Sequence, residues 1–365
     1  MKLIICITLL LILSACGRGE EYPPVPDQYE YYEPYEELDA TPSPEPEPTP
    51  EPTPEPIQGI HGLLSVVEYG QNRAYILGSI HIGREEWYPL ANIAEEAMER
   101  ADIFAFEIDL GATGGPCICE DCAHECAAHP DIDECICLLM EMMFFPEGIL
   151  LDDFLPPEDF ESFIEVLGTF PGILLDAVMH MRPTTISEIL MYQLAAPMLG
   201  LSSEHSIDMY IFNRAQELGR PAVGLTDFND HIRFVSGMPD EYQIATARYF
   251  SDYDTMLAEI EELAYIYETQ DIETLASLVQ TDLSEAYAAY HAGELSAGGL
   301  ALSRYWHYTV GNYRSNFFAR QIADLLTQTE EPTTFFVTVG IAHLSREINV
   351  FHVLREMGFE VVGLY

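Results

Sequence analysis

Apolar residues recur along the chain with two different periods, and their order predicts an alternation of strands and helices. Residues 62–69 and 74–77 flank a Gly-Gln-Asn turn, which predicts a β-hairpin. Apolar positions at helical spacing follow over residues 90–98, and residues 103–108 form a nearly continuous apolar run that is typical of a buried strand. Strand, helix and strand in this order predict a βαβ unit that joins a buried sheet.

The rest of the chain is mostly helical by pattern, with three further strands. Helices are predicted over residues 206–218, near 240–268, 271–293 and 303–328, and from the last glycine motif to about 357. Strands are predicted over residues 221–225, 334–339 and 360–364. Because strands come from both ends of the chain, we expect an α/β fold. Its central, mostly buried β-sheet would be built from N- and C-terminal segments and carry a large helical insertion.

The first residues predict export from the cytoplasm. Lys2 precedes an apolar stretch that runs to Leu13, and small residues stand immediately before Cys16. A basic start, a short apolar segment and a small-residue cleavage site predict a secretory signal peptide over residues 1–15. A cysteine in the first mature position predicts a bacterial lipoprotein that is lipidated at Cys16. The alternative is an ordinary secretory signal with an incidental cysteine.

Residues 16–56 are rich in Glu, Pro, Tyr and Thr. Such a segment has too little apolar surface to offset its ordering entropy, and its prolines favour extended conformations, so we expect a disordered tether. Residues 57–365 would then form the folded domain. These predictions place the domain on the extracytoplasmic face of the cell membrane, held there by a lipid anchor.

The charge balance excludes one class of partner. The chain has 15 Lys and Arg against 61 Asp and Glu, which gives a net charge of −46. Nucleic acid binding draws on many contacts between basic side chains and phosphates, so we exclude nucleic acid as a partner. The acidity favours solubility and can collect divalent cations.

Two short motifs carry the candidate chemistry. Gly78-Ser-Ile-His81 and Gly340-Ile-Ala-His343 each place Gly-x-x-His at the C-terminal end of an apolar strand, and a third strand delivers Glu107. Ligands of α/β sheets bind beyond such strand ends, and a carboxylate there is costly to bury unless it is paired or bound to a metal. Two imidazoles and a carboxylate are typical of a divalent-metal site with a water nucleophile. A lone histidine in such a position is more often a core residue.

These motifs, in this order, resemble the TraB/GumN family, which includes the Tiki metalloproteases. The resemblance spans about residue 60 to the end of the chain and continues through Phe106-Glu-Ile-Asp109, Ile207-Asp208, Asn213 to Leu225, and Arg314 to Ile322. Three departures stand out. Thr226 replaces the family's usual glutamate after Gly-Leu, Ser315 splits its Arg-Asn pair, and a cysteine-rich insertion follows Glu107.

The resemblance implies a metal-dependent hydrolase, expected to be a peptidase. It also implies Mn²⁺, Co²⁺ or Zn²⁺ as cofactor and a peptide or protein as substrate. Carried over to this chain, it makes His81 and His343 metal ligands and Glu107 a ligand or the general base.

Three more residues are candidates for supporting roles. Asp208 could orient a histidine, Asp227 could replace the absent glutamate after a small shift, and Arg314 could bind a substrate carboxylate or an oxyanion. The competing explanation for Asp208 is that it complements a helix dipole. The competing explanation for Arg314 is a structural salt bridge.

The insertion after Glu107, residues 111–137, contains six cysteines, namely Cys117, Cys119, Cys122, Cys126, Cys135 and Cys137. In an exported protein an even set of cysteines favours disulfides. Closely spaced thiolates also suit zinc, so a metal knot is the alternative. With disulfides or with zinc, the insertion could cover the rim of the active site or cross-link a surface loop.

Two functions of other classes stay open from the sequence alone. A ligand-binding protein, for example one that holds haem, could use Tyr75, Tyr88, His81 and the Met-rich run 140–143. Met and aromatic residues at helical spacing are more often core, however. A catalytically silent regulatory lipoprotein could instead dock a partner through its acidic face. Haem uptake would identify the first of these, and bound metal without turnover would indicate either.

Overall fold

The structure is a computed structural model that describes most of the domain expected from the sequence. The described residues are 59–110, 143–170, 173–226, 231, 240–271, 274–275, 283–293, 300, 303–304, 307, 312–346 and 348–364. The predicted signal peptide, the tether, the six cysteines of the insertion and Asp227 lie outside them. Among the helices of the described residues, none has the length and apolarity that a membrane span requires.

A six-stranded mixed sheet forms the centre of the fold. Its strands are β1 (Ser65–Tyr69), β2 (Asn72–Ser79), β3 (Ile103–Ile108), β4 (Ala222–Thr226), β5 (Thr334–Gly340) and β6 (Val361–Gly363). Their order across the sheet is β4-β3-β5-β2-β1-β6. The first four in that order are parallel neighbours, and β1 and β6 add two antiparallel strands at one side. The predicted α/β class, with strands from both ends of the chain, is confirmed.

The register of β2 on β5 determines where the two glycine motifs lie. These strands pair from Arg73 opposite Thr334 to Ser79 opposite Gly340, so both motifs begin at the same edge of the sheet. Both strands are almost entirely buried, because helices cover the two faces of a parallel sheet, and this explains their continuous apolar sequence.

Helices surround the sheet and fill the middle of the chain. The α-helices are α1 (Asn92–Arg100), α2 (Leu151–Phe154), α3 (Pro157–Gly168), α4 (Leu175–Val178), α5 (Pro183–Glu188), α6 (Ala196–Met198), α7 (Ile207–Glu217), α8 (Asp240–Ser251), α9 (Tyr253–Thr269), α10 (Leu283–Ala292), α11 (Arg314–Gln328), α12 (Ala342–Ser345) and α13 (Val350–Glu356). A π-helical segment, Ile189–Ala195, joins α5 to α6.

Capping side chains divide two stretches that the sequence pattern treated together. The helix predicted to reach Met357 is two short helices, because the Asn349 side chain accepts a hydrogen bond from the backbone N–H of His352 at 2.8 Å and starts α13 anew. In the same way Asp252 caps α9 by accepting from the N–H of Thr255 at 3.2 Å, which separates α9 from α8.

Specific polar contacts fix the helical insertion internally and to the sheet. Arg248 on α8 holds the buried Asp159 of α3 with two parallel hydrogen bonds of 2.7 and 2.8 Å. The buried hydroxyl of Tyr267, near the end of α9, donates to the carbonyl oxygen of Gly78 at 2.6 Å. Gln270 follows and accepts from the backbone N–H of Gly62 at 2.8 Å. The end of α9 therefore supports the first glycine motif.

Candidate active site at the carboxyl ends of the parallel strands

Four ionisable side chains meet where the four parallel strands end. His81 follows β2, Glu107 lies near the end of β3, His343 follows β5, and His231 comes five residues after the last residue of β4. Each of these groups is close enough to others in the set to change their pKa values. The cluster therefore occupies the crevice beyond the strand ends where ligands of α/β sheets bind.

The glycines of the two motifs allow the strand ends to approach closely. A Cβ atom on Gly78 would lie 2.2 Å from Cδ1 of Ile341 and 3.0 Å from its Cα atom. A Cβ atom on Gly340 would lie 3.2 Å from Oε1 of Glu107. The backbone N–H of Ile341 also donates to the carbonyl oxygen of Ser79 at 2.8 Å, so the two motifs are in direct contact.

His81 is held by a carboxylate from α7. Its Nδ1 atom lies 2.9 Å from Oδ2 of Asp208, and the Ser79 hydroxyl donates to Oδ1 of the same residue at 2.7 Å. The charge of Asp208 is the largest cause that raises the pKa of His81, to about 9, while burial opposes it. Asp208 also lies in the first turn of α7. Its position therefore agrees with both explanations considered for it, namely orienting a histidine and complementing the helix dipole. The His81 side chain remains 59% exposed, so it lies on the solvent-facing side of the cleft.

His343 lies in a drier setting than His81. Its side chain is 8% exposed, and its ring makes a T-shaped contact with Phe318 with centroids 5.1 Å apart. The Ser315 hydroxyl lies 3.2 Å from Nδ1. Burial lowers the pKa of His343 to about 4; the charge of Glu107 opposes this, and that of Arg314 reinforces it.

Both carboxylate oxygens of Glu107 are engaged. Oε1 accepts from the backbone N–H of Gly340 at 2.7 Å, and Oε2 accepts from the guanidinium of Arg314 at 3.0 Å. Burial would raise the pKa of Glu107, but the positive charges of Arg314 and then of the histidines outweigh it and bring the pKa down to about 2. Arg314 thus forms the salt bridge that was one of its two expected roles, and Glu107 is poorly suited to accept a proton near neutral pH.

Two further ionisable residues belong to this cleft and carry no motif that would have predicted them. Nδ1 of His231 lies 3.2 Å from the guanidinium of Arg314, and burial lowers the pKa of this histidine to about 4. Its position shortly after β4, at the edge shared by the other strand ends, is the sequence feature that could have predicted His231 as a site residue. Glu188 ends α5 close enough to His81 for the two charges to interact, and burial raises its pKa to about 7. An isolated glutamate in a helical stretch gives no such signal.

Three described residues considered for a haem site occupy packed positions, in contrast to the exposed His81. Tyr75 and Met143 are buried in the core. The Tyr88 hydroxyl donates to the carbonyl oxygen of His205 at 2.6 Å, and its ring stacks on Tyr210 with centroids 4.1 Å apart. Each of these three side chains is therefore engaged in packing or hydrogen bonding, and Met140 and Met142 lie outside the described residues.

The donor set fits a divalent metal in kind. The Nδ1 atoms of His81 and His343 face Asp208 and Ser315, which leaves each Nε2 atom for a ligand, and such supporting contacts are typical around metal-binding histidines. Nε2 of His343 lies 3.8 Å from Oε1 of Glu107, close to the span of two ligands of one ion. Among the described residues no group of three or more His, Cys, Asp or Glu side chains is placed to hold a metal ion. A metal site with three protein ligands therefore requires His81 to move closer to His343 and Glu107.

Comparison with known proteins gives one match. The model of the TraB/PrgY/gumN family matches residues 63–362, which covers strands β1 to β5, most of β6 and the whole cluster. No curated protein and no solved structure matches the chain. Because the family model covers most of the chain, this protein belongs to the TraB/PrgY/gumN family.

Proposed function

We propose that this protein is a metal-dependent hydrolase whose substrate is a peptide or protein. The observation that carries the proposal is the meeting of His81, His343 and Glu107 at adjacent strand ends, with both imidazoles held through Nδ1. Nε2 of each ring and Oε1 of Glu107 would hold Mn²⁺, Co²⁺ or Zn²⁺. When bound, such an ion supplies a Lewis acid that polarises a carbonyl group and makes water a nucleophile at neutral pH.

The remaining residues of the cleft would prepare it for this chemistry. Asp208 and Ser315 orient the two imidazoles. Arg314 sits beside Glu107 with only 9% of its surface exposed, so its charge is poorly screened by water. A fixed positive charge of this kind stabilises the oxyanion that develops when water attacks an amide carbonyl.

The first test is elemental analysis of the protein from residue 57 onward, after incubation with each of the three metals and desalting. The double variant His81→Ala/His343→Ala is compared with the wild type. A matched control, His291→Ala/His352→Ala, removes two exposed histidines that belong to neither motif. The cysteine-rich insertion is present in all three proteins, so metal bound to its thiolates contributes equally and cancels in the difference.

We expect the motif double variant to hold one equivalent less of metal than the wild type and the control. Equal metal content in all three proteins would remove the metal site from the proposal. A library of quenched fluorescent peptides, supplied with the metal that binds, then tests hydrolysis directly. Stoichiometric metal with no cleavage of any peptide would favour a silent regulator of the same fold.

We also propose that the domain acts outside the cytoplasm on a lipid anchor at Cys16. The support is the order of Lys2, the apolar stretch and the small residues before Cys16, followed by a tether suited to hold a domain away from a surface. Metabolic labelling with an alkyne fatty acid should mark the wild type and leave Cys16→Ser unlabelled. Labelling of both proteins would contradict the anchor.

For the cysteine-rich insertion, residues 111–137, we propose disulfides in preference to a zinc knot. The support is the even number of cysteines in a chain that is expected to be exported. Free thiols are titrated in the unfolded protein from residue 57 onward, with and without reductant. We expect six thiols only after reduction. Six free thiols before reduction, with zinc released on unfolding, would favour the metal knot instead.

A further inference from the structure

The end of α9 contacts the first Gly-x-x-His motif on both sides of His81. Tyr267 is fully buried, and its hydroxyl donates to the carbonyl oxygen of Gly78 at 2.6 Å, before the histidine in the chain. The next residue of the helix, Glu268, accepts from the guanidinium of Arg84 at 3.1 Å, after the histidine in the chain. Two adjacent residues of the helical insertion therefore hold the stretch that carries His81 at both ends.

The Tyr267 hydroxyl takes the place of a backbone donor that the sheet does not supply. The pairing of β1 with β2 ends with Ser65 opposite Ile76, before it reaches Gly78. Beyond that point the N–H of Gly78 donates to the carbonyl oxygen of Gly62 at 2.6 Å, and the carbonyl of Gly78 accepts from the tyrosine. Because a buried carbonyl without a donor is costly, this hydroxyl stabilises the end of β2 in its present position.

Other parts of the fold hold the next two carbonyls of the motif. The carbonyl oxygen of Ser79 accepts from the N–H of Ile341 at 2.8 Å, and that of Ile80 accepts from the N–H of Ile207 at 3.3 Å. The first donor belongs to the second glycine motif, and the second begins α7. Three successive carbonyls before the histidine are therefore fixed by three separate elements, and Tyr267 is the one side-chain donor among the three.

Backbone strain is concentrated at the same contact. Among the described residues, the non-glycine residues with a left-handed φ are Leu63, at 56°, and Gln270, at 55°. Gln270 follows α9, and its side-chain oxygen accepts from the backbone N–H groups of His61 and Gly62 at 3.0 and 2.8 Å. Such strain persists only where the surrounding contacts over-determine the backbone, and it is common at functional sites. The contact between the end of α9 and the residues before β1 therefore holds one fixed geometry.

We infer that Tyr267 is a positioning residue for His81, and that its hydroxyl fixes the backbone of the first motif where metal binding requires it. The inference rests on the proposed hydrolase function. A ligand whose backbone is already fixed loses less conformational entropy when it binds an ion, so the ion is held more tightly. The side chain of His81 is 59% exposed and can turn toward Glu107 and His343 while its backbone stays in place.

The test compares Tyr267→Phe, which removes one hydroxyl, with the wild type, using the full chain purified in detergent. Titration with Co²⁺, after subtraction of the signal of His81→Ala/His343→Ala, gives the affinity of the motif site in each protein. We expect about 10-fold weaker binding in Tyr267→Phe, the lower end of the usual loss when a residue that supports a metal ligand is removed, because the hydroxyl acts through the backbone. For a peptide that the wild type cleaves, kcat should fall and KM should stay unchanged.

Two control variants separate positioning from general stability. Tyr249→Phe removes another hydroxyl of the helical insertion, one that donates to Glu259, and should leave the Co²⁺ affinity unchanged. Ile260→Val shortens a buried side chain of α9 and should lower the melting temperature, again with unchanged Co²⁺ affinity.

Hydrogen exchange in the metal-free protein gives a readout that needs neither metal nor activity. The N–H groups of Ile341 and Ile207 are bonded to carbonyls of the first motif, so their exchange reports how firmly that motif is held. Both should exchange faster in Tyr267→Phe than in the wild type, and neither should change in Tyr249→Phe.

Each outcome decides a different point. A Co²⁺ affinity of Tyr267→Phe within about twofold of the wild type, or a loss of the same size in Ile260→Val, would overturn the role of Tyr267 and leave the hydrolase intact. If Tyr267→Phe does not fold, Gln270→Asn decides, because its shorter side chain withdraws the acceptor from Gly62 and asparagine tolerates the left-handed backbone. Weaker Co²⁺ binding in that variant supports the inference, and unchanged binding overturns it. A wild type that binds no metal overturns the proposed function, and the role of Tyr267 falls with it.

Discussion

The two Gly-x-x-His motifs have the same sequence pattern and opposite surroundings. Both follow buried parallel strands, and Ser79 of one lies opposite Gly340 of the other in the sheet. Yet His81 is open to solvent with a raised pKa, whereas His343 is buried with a lowered pKa. The difference comes from the helices that pack on each motif and not from the motifs themselves.

Different helices supply the neighbours of the two imidazoles. The start of α7 brings Asp208 to His81, and α11 brings the hydroxyl of Ser315 and the ring of Phe318 to His343. A full negative charge favours the protonated imidazole, while a hydroxyl and an aromatic ring do little to offset burial. A repeated motif therefore fixes where a histidine lies, and the surrounding fold decides its charge.

Two expected effects share the largest size, and the first concerns the glycines. Alanine at position 78 would place its Cβ atom 2.2 Å from a side-chain atom of Ile341 and 3.0 Å from its backbone. We expect Gly78→Ala to lower the free energy of unfolding by about 1–3 kcal/mol, the usual range for overpacking a core. Gly340→Ala should cost less than about 1 kcal/mol, because its nearest neighbour is one carboxylate oxygen at 3.2 Å. Urea denaturation measures both, and equal losses would show that the two glycines are equivalent.

The next effect is the pH dependence of stability in metal-free protein. The pKa of His343 falls from an ordinary 6.5 to about 4 on folding, so between these values the unfolded chain binds a proton that the folded chain does not. The free energy of unfolding should therefore decrease as the pH falls through this window. The contribution is on the order of 3 kcal/mol, because the fall of about 2.5 pKa units is worth about 1.4 kcal/mol per unit. His343→Gln should flatten this acid limb in urea titrations between pH 4 and 7.

His81 should act on the opposite side of neutrality. Its pKa rises from 6.5 to about 9, so the stability that it contributes is fully present below pH 6.5 and is lost as the pH rises through 9. His81→Gln should flatten the alkaline limb and leave the acid limb unchanged. The same limb lost in both variants would mean that the two histidines titrate as one coupled pair.

A direct measurement of the two pKa values sharpens the comparison further. Asp208→Asn removes the charge that is the largest cause raising the pKa of His81, and the charges of Glu107 and Arg314 that remain act in opposite directions. We expect the pKa of His81 to fall from about 9 to near or below 6.5, and that of His343 to stay unchanged, in histidine NMR titrations of the metal-free protein. A pKa of His81 that remains near 9 in this variant would assign the shift to another charge.

Much of this arrangement could be predicted from the sequence. The continuous apolar runs of β2, β3 and β5 gave the buried sheet, and the rule that ligands bind beyond strand ends brought His81, Glu107 and His343 to one edge. Family membership agrees with the resemblance found in the motifs. The helix boundaries at Asp252 and Asn349 were not predicted, because a polar residue within a periodic stretch can either cap a helix or face solvent.

The electrostatics of the site could not be predicted in the same way. The low pKa of Glu107 depends on Arg314, more than 200 positions away in the chain, and the high pKa of Glu188 depends on burial within the helical insertion. Such shifts arise from contacts that only the folded chain creates. The sequence motif therefore identifies Glu107 but not the charge state that the fold gives to it.

The smallest expected effect lies at Ser315, where this chain departs from the family pattern. Burial and the nearby charges set the pKa of His343, so Ser315→Ala should shift that pKa by less than about half a unit. What the hydroxyl does is hold Nδ1 at 3.2 Å and so select which ring nitrogen carries the proton. ¹⁵N chemical shifts of the His343 ring should therefore show a mixed tautomer in Ser315→Ala and a single one in the wild type. Ser345→Ala, which removes a hydroxyl bonded to the Ile341 carbonyl, is the control and should leave the tautomer alone. The pKa of His343 in Ser315→Ala could instead shift as much as that of His81 in Asp208→Asn. A neutral hydroxyl and a charged carboxylate would then support their histidines equally, and the contrast between the two motifs would lose its electrostatic basis.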